Sequence, residues 1–351
     1  MGLAAFGKAV NIKNRSQYLR SLNWDLAFTG RGKAAWIHHG EFEHFANIAA
    51  TVQAHFEKSI FSFMKRLRSE FSEYDNLIFT GGTALNCVMN TKLLDSGIFS
   101  DVFIPPFPGD ESISFGAAAH LKYRTAAQSW KPVLKSHQRP NFGPKNIEIN
   151  KARVCNLFGN YKILKPQSIC RAAAKLLANG KLVGWYQGQS ESGPRALGNR
   201  SLLADPRLQN LKRRLNRSIK KREDFRPYGC SCRFEKASEY FNVPDGFDGP
   251  FMSFAPLIKS KYKKILAQVG HVDGTSRIQT IRPKQNKKFY ELLVEFEKLT
   301  GLACLLNTSL NVMGEPIVES IEDAKFFFSQ VAIDALVIGD FLVLRTHRDE
   351  R

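Results

Sequence analysis

No window of this 351-residue chain approaches the roughly 18 consecutive apolar residues that a membrane-spanning helix needs. The opening residues also lack the charged start and long apolar run of a secretion signal. Met1-Gly2 opens like a myristoylation motif, but Phe6 stands where that motif wants Ser or Thr. The expected location is the cytoplasm, with no membrane partner. Cysteine is sparse: the six residues at 87, 155, 170, 230, 232 and 304 show no paired CxxC spacing for zinc and are too few for a disulfide framework. Cys230-Ser231-Cys232 therefore reads as buried free thiols. Acidic residues are also short, 32 against 51 basic, giving a net charge of +19. That imbalance favours anionic partners, polyphosphates or nucleic acid, through long-range attraction. The second half offers neither a histidine paired with a nucleophile nor two carboxylates suited to acid/base work, so its residues favour electrostatic handling of polyanions.

With 43% hydrophobic and 24% charged residues, the composition is that of a soluble globular protein long enough for two or three domains. Residues 1–44 show no clear periodicity. His38, His39 and His44 lack the i,i+3 or i,i+4 spacing of helical metal sites and read as ordinary surface residues. From Phe45, apolar residues at Ile48, Val52, Phe56, Ile60, Phe63 and Leu67 predict a long amphipathic helix. Asn76–Thr80 reads as a strand, Gly81-Gly82 as a tight turn, and Thr83 as the cap of a helix running to Leu94. This junction places free N–H groups at a sheet's carboxyl edge, where nucleotides commonly sit. Asp101–Ile104 predicts another strand, followed by a Pro/Gly loop that presents Asp110 to a cation or to the next helix. Alternating strands and helices argue for an α/β layer structure. The apolar pattern lapses between Thr125 and Ala152, which places a domain boundary there.

The second unit is organised around the stretch from Gly184 to Arg207. An apolar strand, Lys181–Tyr186, runs into a loop punctuated by Gly188, Gly193, Pro194 and Gly198, which carries Asn199 and two arginines, Arg195 and Arg200. Glycines let backbone approach a ligand, and guanidinium groups meet phosphate with paired donors. Three more loops offer similar ligands: Lys220, Arg222 and Arg226; Arg277 with Gln279; and Asn307 through Asn311, where Ser309 and Asn311 share one side of an extended segment. Arg207 to Arg226 contains nine Lys or Arg and two acids, so a continuous basic helix is expected, a fair nucleic-acid candidate. Further strands are expected at Tyr161–Leu164, Phe251–Ile258 (buried), Thr275–Thr280 (exposed), Ala303–Leu306, Ala335–Ile338 and Phe341–Leu344. Helices are expected at Gln167–Ala178, Lys288–Leu299 and Ile321–Phe328.

Six ordered motifs give these pieces a family likeness. They are Met1-Gly2-Leu3-Ala4-Ala5-Phe6-Gly7; Gly81-Gly82-Thr83-Ala84-Leu85-Asn86; Pro108-Gly109-Asp110 with Gly116-Ala117-Ala118; Gly193 to Ser201; Lys221-Arg222-Glu223 with Phe225-Arg226-Pro227; and Leu306 to Asn311 with Gly314 to Val318. In these the chain resembles the NodU/CmcH family of O-carbamoyltransferases. The resemblance implies the C-terminal part of an actin-like, TsaD-like (ASKHA) α/β domain over residues 1–138, then a mixed α+β YrdC-like domain over 139–351. It implies carbamoyl adenylate formation from carbamoyl phosphate and ATP, then transfer to a hydroxyl-bearing small-molecule acceptor. Arg195, Lys220, Arg226 and Arg277 would hold the phosphates and carbamoyl group. Asn199, Arg200, Arg222, Asn307, Ser309 and Asn311 would be further substrate and nucleotide ligands. Gly81 and Gly82 would approach adenosine, and Asp110 would bind a divalent metal, Fe2+ or Mg2+.

Family members carry a further N-terminal segment with a phosphate loop and two metal-binding histidines, so the likeness also implies an incomplete metal site and a separate N-terminal fragment as partner. Gln189 stands where the family has an arginine, and Ser190 and Ser192 replace bulkier residues. Two other readings of the same residues are an RNA-binding protein built on the basic helix, with nucleic acid the less favoured partner, and a non-catalytic remnant.

Overall fold

A computed structural model describes residues 1–10, 42–125, 141–144 and 148–345 of the chain. Helix α1, Phe42–Glu70, is the long amphipathic helix expected, starting three residues early. Its Met64 is buried, and Phe56, Ile60 and Leu67 pack on the core. Strands β1 (Asn76–Ile78) and β2 (Asp101–Phe103) pair in parallel, with Leu77 opposite Val102. Between them the Gly81-Gly82 turn leads into a 3-10 turn, Gly82–Leu85. Helix α2 begins only at Cys87 and ends at Asp95, because Asn86 rather than Thr83 is its cap: the Asn86 side chain accepts from the Met89 N–H at 3.1 Å. Helix α3 spans Ile113–Thr125. Asn90 and Thr91 of α2 tie this layer to the rest of the molecule. The buried Asn90 amide donates to the Ser253 carbonyl at 3.0 Å, and the Thr91 hydroxyl accepts from the Ala255 N–H at 2.7 Å.

The remainder is built on one eight-stranded mixed sheet, ordered β3-β10-β9-β4-β5-β8-β6-β7. Its strands are β3 (Lys162–Leu164), β4 (Val183–Tyr186), β5 (Arg200–Ala204), β6 (Gly229–Arg233), β7 (Arg277–Ile281), β8 (Cys304–Ser309), β9 (Ala335–Ile338) and β10 (Phe341–Leu344). β4/β9 and β6/β7 are parallel and the other neighbours antiparallel. The central strands β4 and β5 are buried along their whole length, as strands covered on both faces should be. Helix α4 (Lys151–Phe158) was not expected from the sequence. Helices α5 (Ile169–Ala178) and α6 (Lys287–Thr300) pack together over the sheet, capped by Ser168 and Asn286, and α7 (Ile321–Gln330) opens with a Ser320/Asp323 capping box. Cys230, Cys232 and Cys304 are buried free thiols, as the sequence suggested.

Three expectations are corrected. Strand β7 is buried, not exposed, because Phe254 and Gly249 cover it through backbone bonds to Ile278 and Thr280. Residues 251–258 make only isolated bridges, at Phe254 and at Leu257 and Ile258, in place of a strand. The basic stretch is not a continuous helix. It has an α turn at Leu211–Arg214, a π turn at Leu215–Ile219, and then leaves helical geometry at Lys221, whose φ is 46°. The expected domain boundary at 138/139 and His38-His39 lie outside the described residues. His44 is exposed on α1.

Candidate active site

Strand β4 delivers the glycine-arginine loop, and a buried carboxylate shapes it. Glu191 Oε1 accepts the backbone N–H groups of Leu197 at 2.6 Å, Asn199 at 2.7 Å and Arg200 at 3.3 Å. Burial raises the pKa of this carboxyl, and those N–H donors oppose the rise. Asn199 joins the loop's two limbs by donating to the Gln189 carbonyl at 2.6 Å, and accepts from Asn286 at 2.9 Å. At Gly198 φ is 104°, and a Cβ would overlap the Phe289 ring, so glycine is required there twice over. The Trp185 indole donates to the Gly198 carbonyl at 3.0 Å, anchoring the loop to the sheet.

The two arginines of this loop take different roles. Arg200 is fully buried. Its guanidinium lies 3.6 Å from the Tyr186 ring centroid and donates to the carbonyls of Gln187, Gly188, Asn199 and Glu319. Such a group braces the loop and has no surface left for a ligand. Asn199 and Asn307 are likewise internal: Asn307 donates to the Ala196 carbonyl at 3.2 Å and to Ser231 at 2.8 Å, and Gln279 donates to the Leu197 carbonyl at 2.9 Å. Arg195, by contrast, is only partly buried, and its hydrogen bond is to its own neighbour's carbonyl, Pro194, at 3.4 Å.

Arg195 meets Arg222, Arg226 and Arg277 around one cavity of about 350 Å³, which Cys87 and His271 also line. Arg277 Nε is buried with no hydrogen-bond partner. Arg222 is held by Asn216 Oδ1 at 2.7 Å and stacks 4.6 Å from the Tyr228 ring centroid. Arg226 pairs with Glu223 at 2.7 Å. Repulsion from Arg277, with burial second, pushes Arg195 down to about 9. Two guanidinium groups this close destabilise each other until an anion lies between them. The cavity is thus built to bind negative charge.

Lys220 sits beside it, buried. Its ammonium donates to the Ser309 carbonyl at 2.5 Å, the Ser309 hydroxyl at 3.2 Å, the Asn311 carbonyl at 2.9 Å and Asn311 Oδ1 at 2.8 Å. Burial, then Arg222, pushes it down to about 7, while the four oxygens favour the charged form. Ser309 donates to Asn311 Oδ1 at 2.6 Å, so the two side chains share a side as the strand period predicts. They border a second hollow of about 430 Å³, shared with Ser190, Glu191 and Gly193.

Other expected site residues lie apart. Gly81 and Gly82 are exposed and nothing lies within 4 Å of a Cβ at either. Asp110 is exposed on the 3-10 turn Asp110–Ser112, and among the described residues no three His, Cys, Asp or Glu side chains converge as metal ligands. The described residues around Asp110 do not fit a divalent metal centre. Most of the basic stretch is engaged internally: Arg207 pairs with Asp205, Arg217 with Asp224, and Lys212 donates to the Gly270 carbonyl. It does not present the one basic helical face that a nucleic-acid site would need. Sequence reasoning missed Glu191 and His271. The one signal for Glu191 was an acid placed inside an arginine loop.

Residues 174–345 match the carbamoyltransferase C-terminus family, and residues 21–119 match the carbamoyltransferase N-terminus family. This chain belongs to the carbamoyltransferase family. Its relatives include nodulation protein NolO of Bradyrhizobium diazoefficiens, 38% identical over 299 residues, covering 85% of this chain and 54% of that protein. Nodulation protein NolNO of Sinorhizobium fredii is 38% identical, with 85% of this chain and 44% of that protein covered. The 3'-hydroxymethylcephem-O-carbamoyltransferase of Amycolatopsis lactamdurans is 33% identical over 284 residues, 81% of this chain and 52% of that enzyme. The chain thus spans about half the length of the curated relatives it matches. A crystal structure of full-length HypF with phosphate and nucleotide overlaps it with a TM-score of 0.34 at 14% identity, covering 52% of this chain and 22% of that one. At that level the overlap carries no argument. Among the described residues no helix is long and apolar enough to cross a membrane.

Proposed function

We propose that this carbamoyltransferase-family chain makes carbamoyl adenylate from ATP and carbamoyl phosphate in the arginine cavity and the adjoining Lys220 station. The single observation carrying this reading is the convergence of Arg195, Arg222, Arg226 and Arg277 on one cavity, with Arg277 Nε left unpaired. In an adenylation, a carbamoyl oxygen bonds to the α-phosphorus and pyrophosphate leaves. Fixed cations in a partly dry site offset the charge that builds up there without having to reorganise. On this reading the arginines hold phosphates, Lys220 bridges the phosphate and nucleoside ends, and Ser309 and Asn311 face the adenylate. The eight-stranded unit is then the YrdC-like domain, and the α1 to α3 layer is part of an ASKHA domain that passes the carbamoyl group to an acceptor hydroxyl. The acceptor is a sugar, nodulation-factor or antibiotic-type molecule, a range that the relatives' names support.

Calorimetric titration of carbamoyl phosphate into the chain and into Arg277→Ala tests the cavity assignment. Losing one charge-assisted contact weakens binding by roughly 10- to 100-fold. Equal affinities in the two proteins would remove Arg277 from the site.

A further inference from the structure

We propose that His271 is the catalytic base that activates water for the cleavage of carbamoyl phosphate held by the four arginines. The inference rests on the adenylation reading above and follows from its stoichiometry. A carbamoyl oxygen can attack ATP only after the bond to the phosphoryl group of carbamoyl phosphate has been broken. Water therefore enters: its oxygen bonds to the carbamoyl carbon, the carbon–oxygen bond to phosphate breaks, and phosphate leaves with that electron pair. The products are carbamate and orthophosphate. Of the two protons from water, one ends on the phosphate and the other reaches solvent through the base. Carbamate then attacks the α-phosphorus of ATP and releases pyrophosphate.

Arginine cannot serve as that base, since it stays protonated in proteins. His271 stands in the wall of the same cavity as Arg195, Arg222, Arg226 and Arg277. Its side chain is 8% exposed, and neither ring nitrogen makes a hydrogen bond of ordinary geometry, the nearest backbone being that of Gly2, close enough to act on the ring. A buried imidazole with both nitrogens unpaired is costly unless a ligand or water completes it. Asp273 Oδ1 lies 3.8 Å from Nδ1, placed to orient the ring as the third member of a water, base and carboxylate arrangement. Asp273 is itself fixed by accepting from the Thr275 N–H at 2.9 Å. Phe6 packs edge-on at 5.5 Å, and the Gly2 backbone lies beside Nε2. Burial, aided by Lys212, holds the imidazole below its ordinary value against the pull of Asp273 and of the Gly2 backbone. The ring is therefore neutral near pH 7 and able to accept a proton.

The test separates the two half-reactions in the full chain. Orthophosphate release from carbamoyl phosphate is followed with α,β-methylene-ATP present, which blocks pyrophosphate loss. Pyrophosphate release from ATP is followed with carbamate supplied by concentrated ammonium bicarbonate. In H271A the first should fall by about 100-fold or more and recover with added imidazole, while the carbamate-fed reaction continues and reports an intact fold. Unchanged orthophosphate release, or equal loss in both assays without imidazole rescue, would overturn the role of His271. An unaltered chain silent in both assays would instead overturn the adenylation reading, and the inference with it.

Discussion

Replacing Lys220 with methionine will slow pyrophosphate formation from ATP and carbamoyl phosphate by about 10³-fold, the loss typical of one preorganised charge donor at a reacting centre. Methionine keeps most of the volume of the buried side chain, so the loss is one of charge and of hydrogen bonds. Ser309 and Asn311 lose their shared partner at the same time, because all four of the lysine's acceptors belong to these two residues. A proton measurement accompanies the kinetic one. With Lys220 pushed down to about 7, the empty site carries the ammonium below that pH and loses it above. A bound phosphate favours the charged form and raises the value again, so binding at pH 8 takes up a proton. Calorimetry in buffers of different ionisation enthalpy should show that uptake in the unaltered chain and its absence in Lys220→Met. A variant with unchanged kinetics and unchanged proton uptake would remove Lys220 from the chemistry.

Glu191→Ala should destabilise the protein by roughly 3–5 kcal/mol, read by chemical denaturation, and should abolish anion binding at temperatures where the chain still folds. Three buried backbone N–H groups lose their acceptor at once, each costing about 1–3 kcal/mol when left bare, with water entering the vacated space to recover part of it. Arg200 loses its nearby counter-charge as well. The loop that carries Arg195 keeps its side-chain anchors, Trp185 on Gly198, Gln279 on Leu197, Asn307 on Ala196 and Asn199 on Gln189, but loses the acceptor that gathers its own backbone. Glu191→Gln is the sharper variant. Its amide oxygen can still accept all three N–H groups, but without the full negative charge, and its NH2 group takes the place of Oε2, which has no partner, so an intermediate loss is expected. A Glu191→Ala protein as stable as the parent would mean that the loop is held from elsewhere.

Period and punctuation made most of the fold readable in advance. Strands β9 and β10 begin and end where the sequence places them, since each is a short apolar run bounded by turn residues. Helices α5, α6 and α7 fall within two residues of expectation, fixed by Ser168, Asn286 and Ser320 as caps. The misses have specific causes. Thr83 has the chemistry of a cap, but the double glycine before it folds into a 3-10 turn, and Asn86 takes the role three residues later. Strand β7 carries polar residues at Arg277, Gln279 and Thr280, which read as exposure. In the fold, Gln279 is buried by bonding to Ser231 and to the Leu197 carbonyl. The basic stretch has the composition of a nucleic-acid helix, yet its charges are taken up by Asp205, Asp224 and nearby carbonyls that lie too far away in sequence, or too irregularly spaced, to be read as partners.

The site shows the same division. Loop chemistry pointed to Arg195, Arg222, Arg226 and Arg277, and the fold brings them to one cavity, while Lys220, Ser309 and Asn311 form one hydrogen-bonded station. Residue type could not separate Arg195 from Arg200, five positions apart in one motif. One faces a cavity, and the other is buried against Tyr186 with both terminal nitrogens donating to backbone carbonyls. That distinction depends on the three-dimensional path of a loop held by Glu191, which no linear spacing encodes.

Carbamoyl adenylation in the arginine cavity is tested most directly by pyrophosphate release from the purified chain, with ATP and carbamoyl phosphate supplied together and each omitted in turn, beside Arg195→Ala as a control. Release that requires both substrates and is lost in Arg195→Ala is the predicted result. A folded chain that releases no pyrophosphate with both present, or releases it equally without carbamoyl phosphate, would contradict the assignment of this cavity to carbamoyl adenylation.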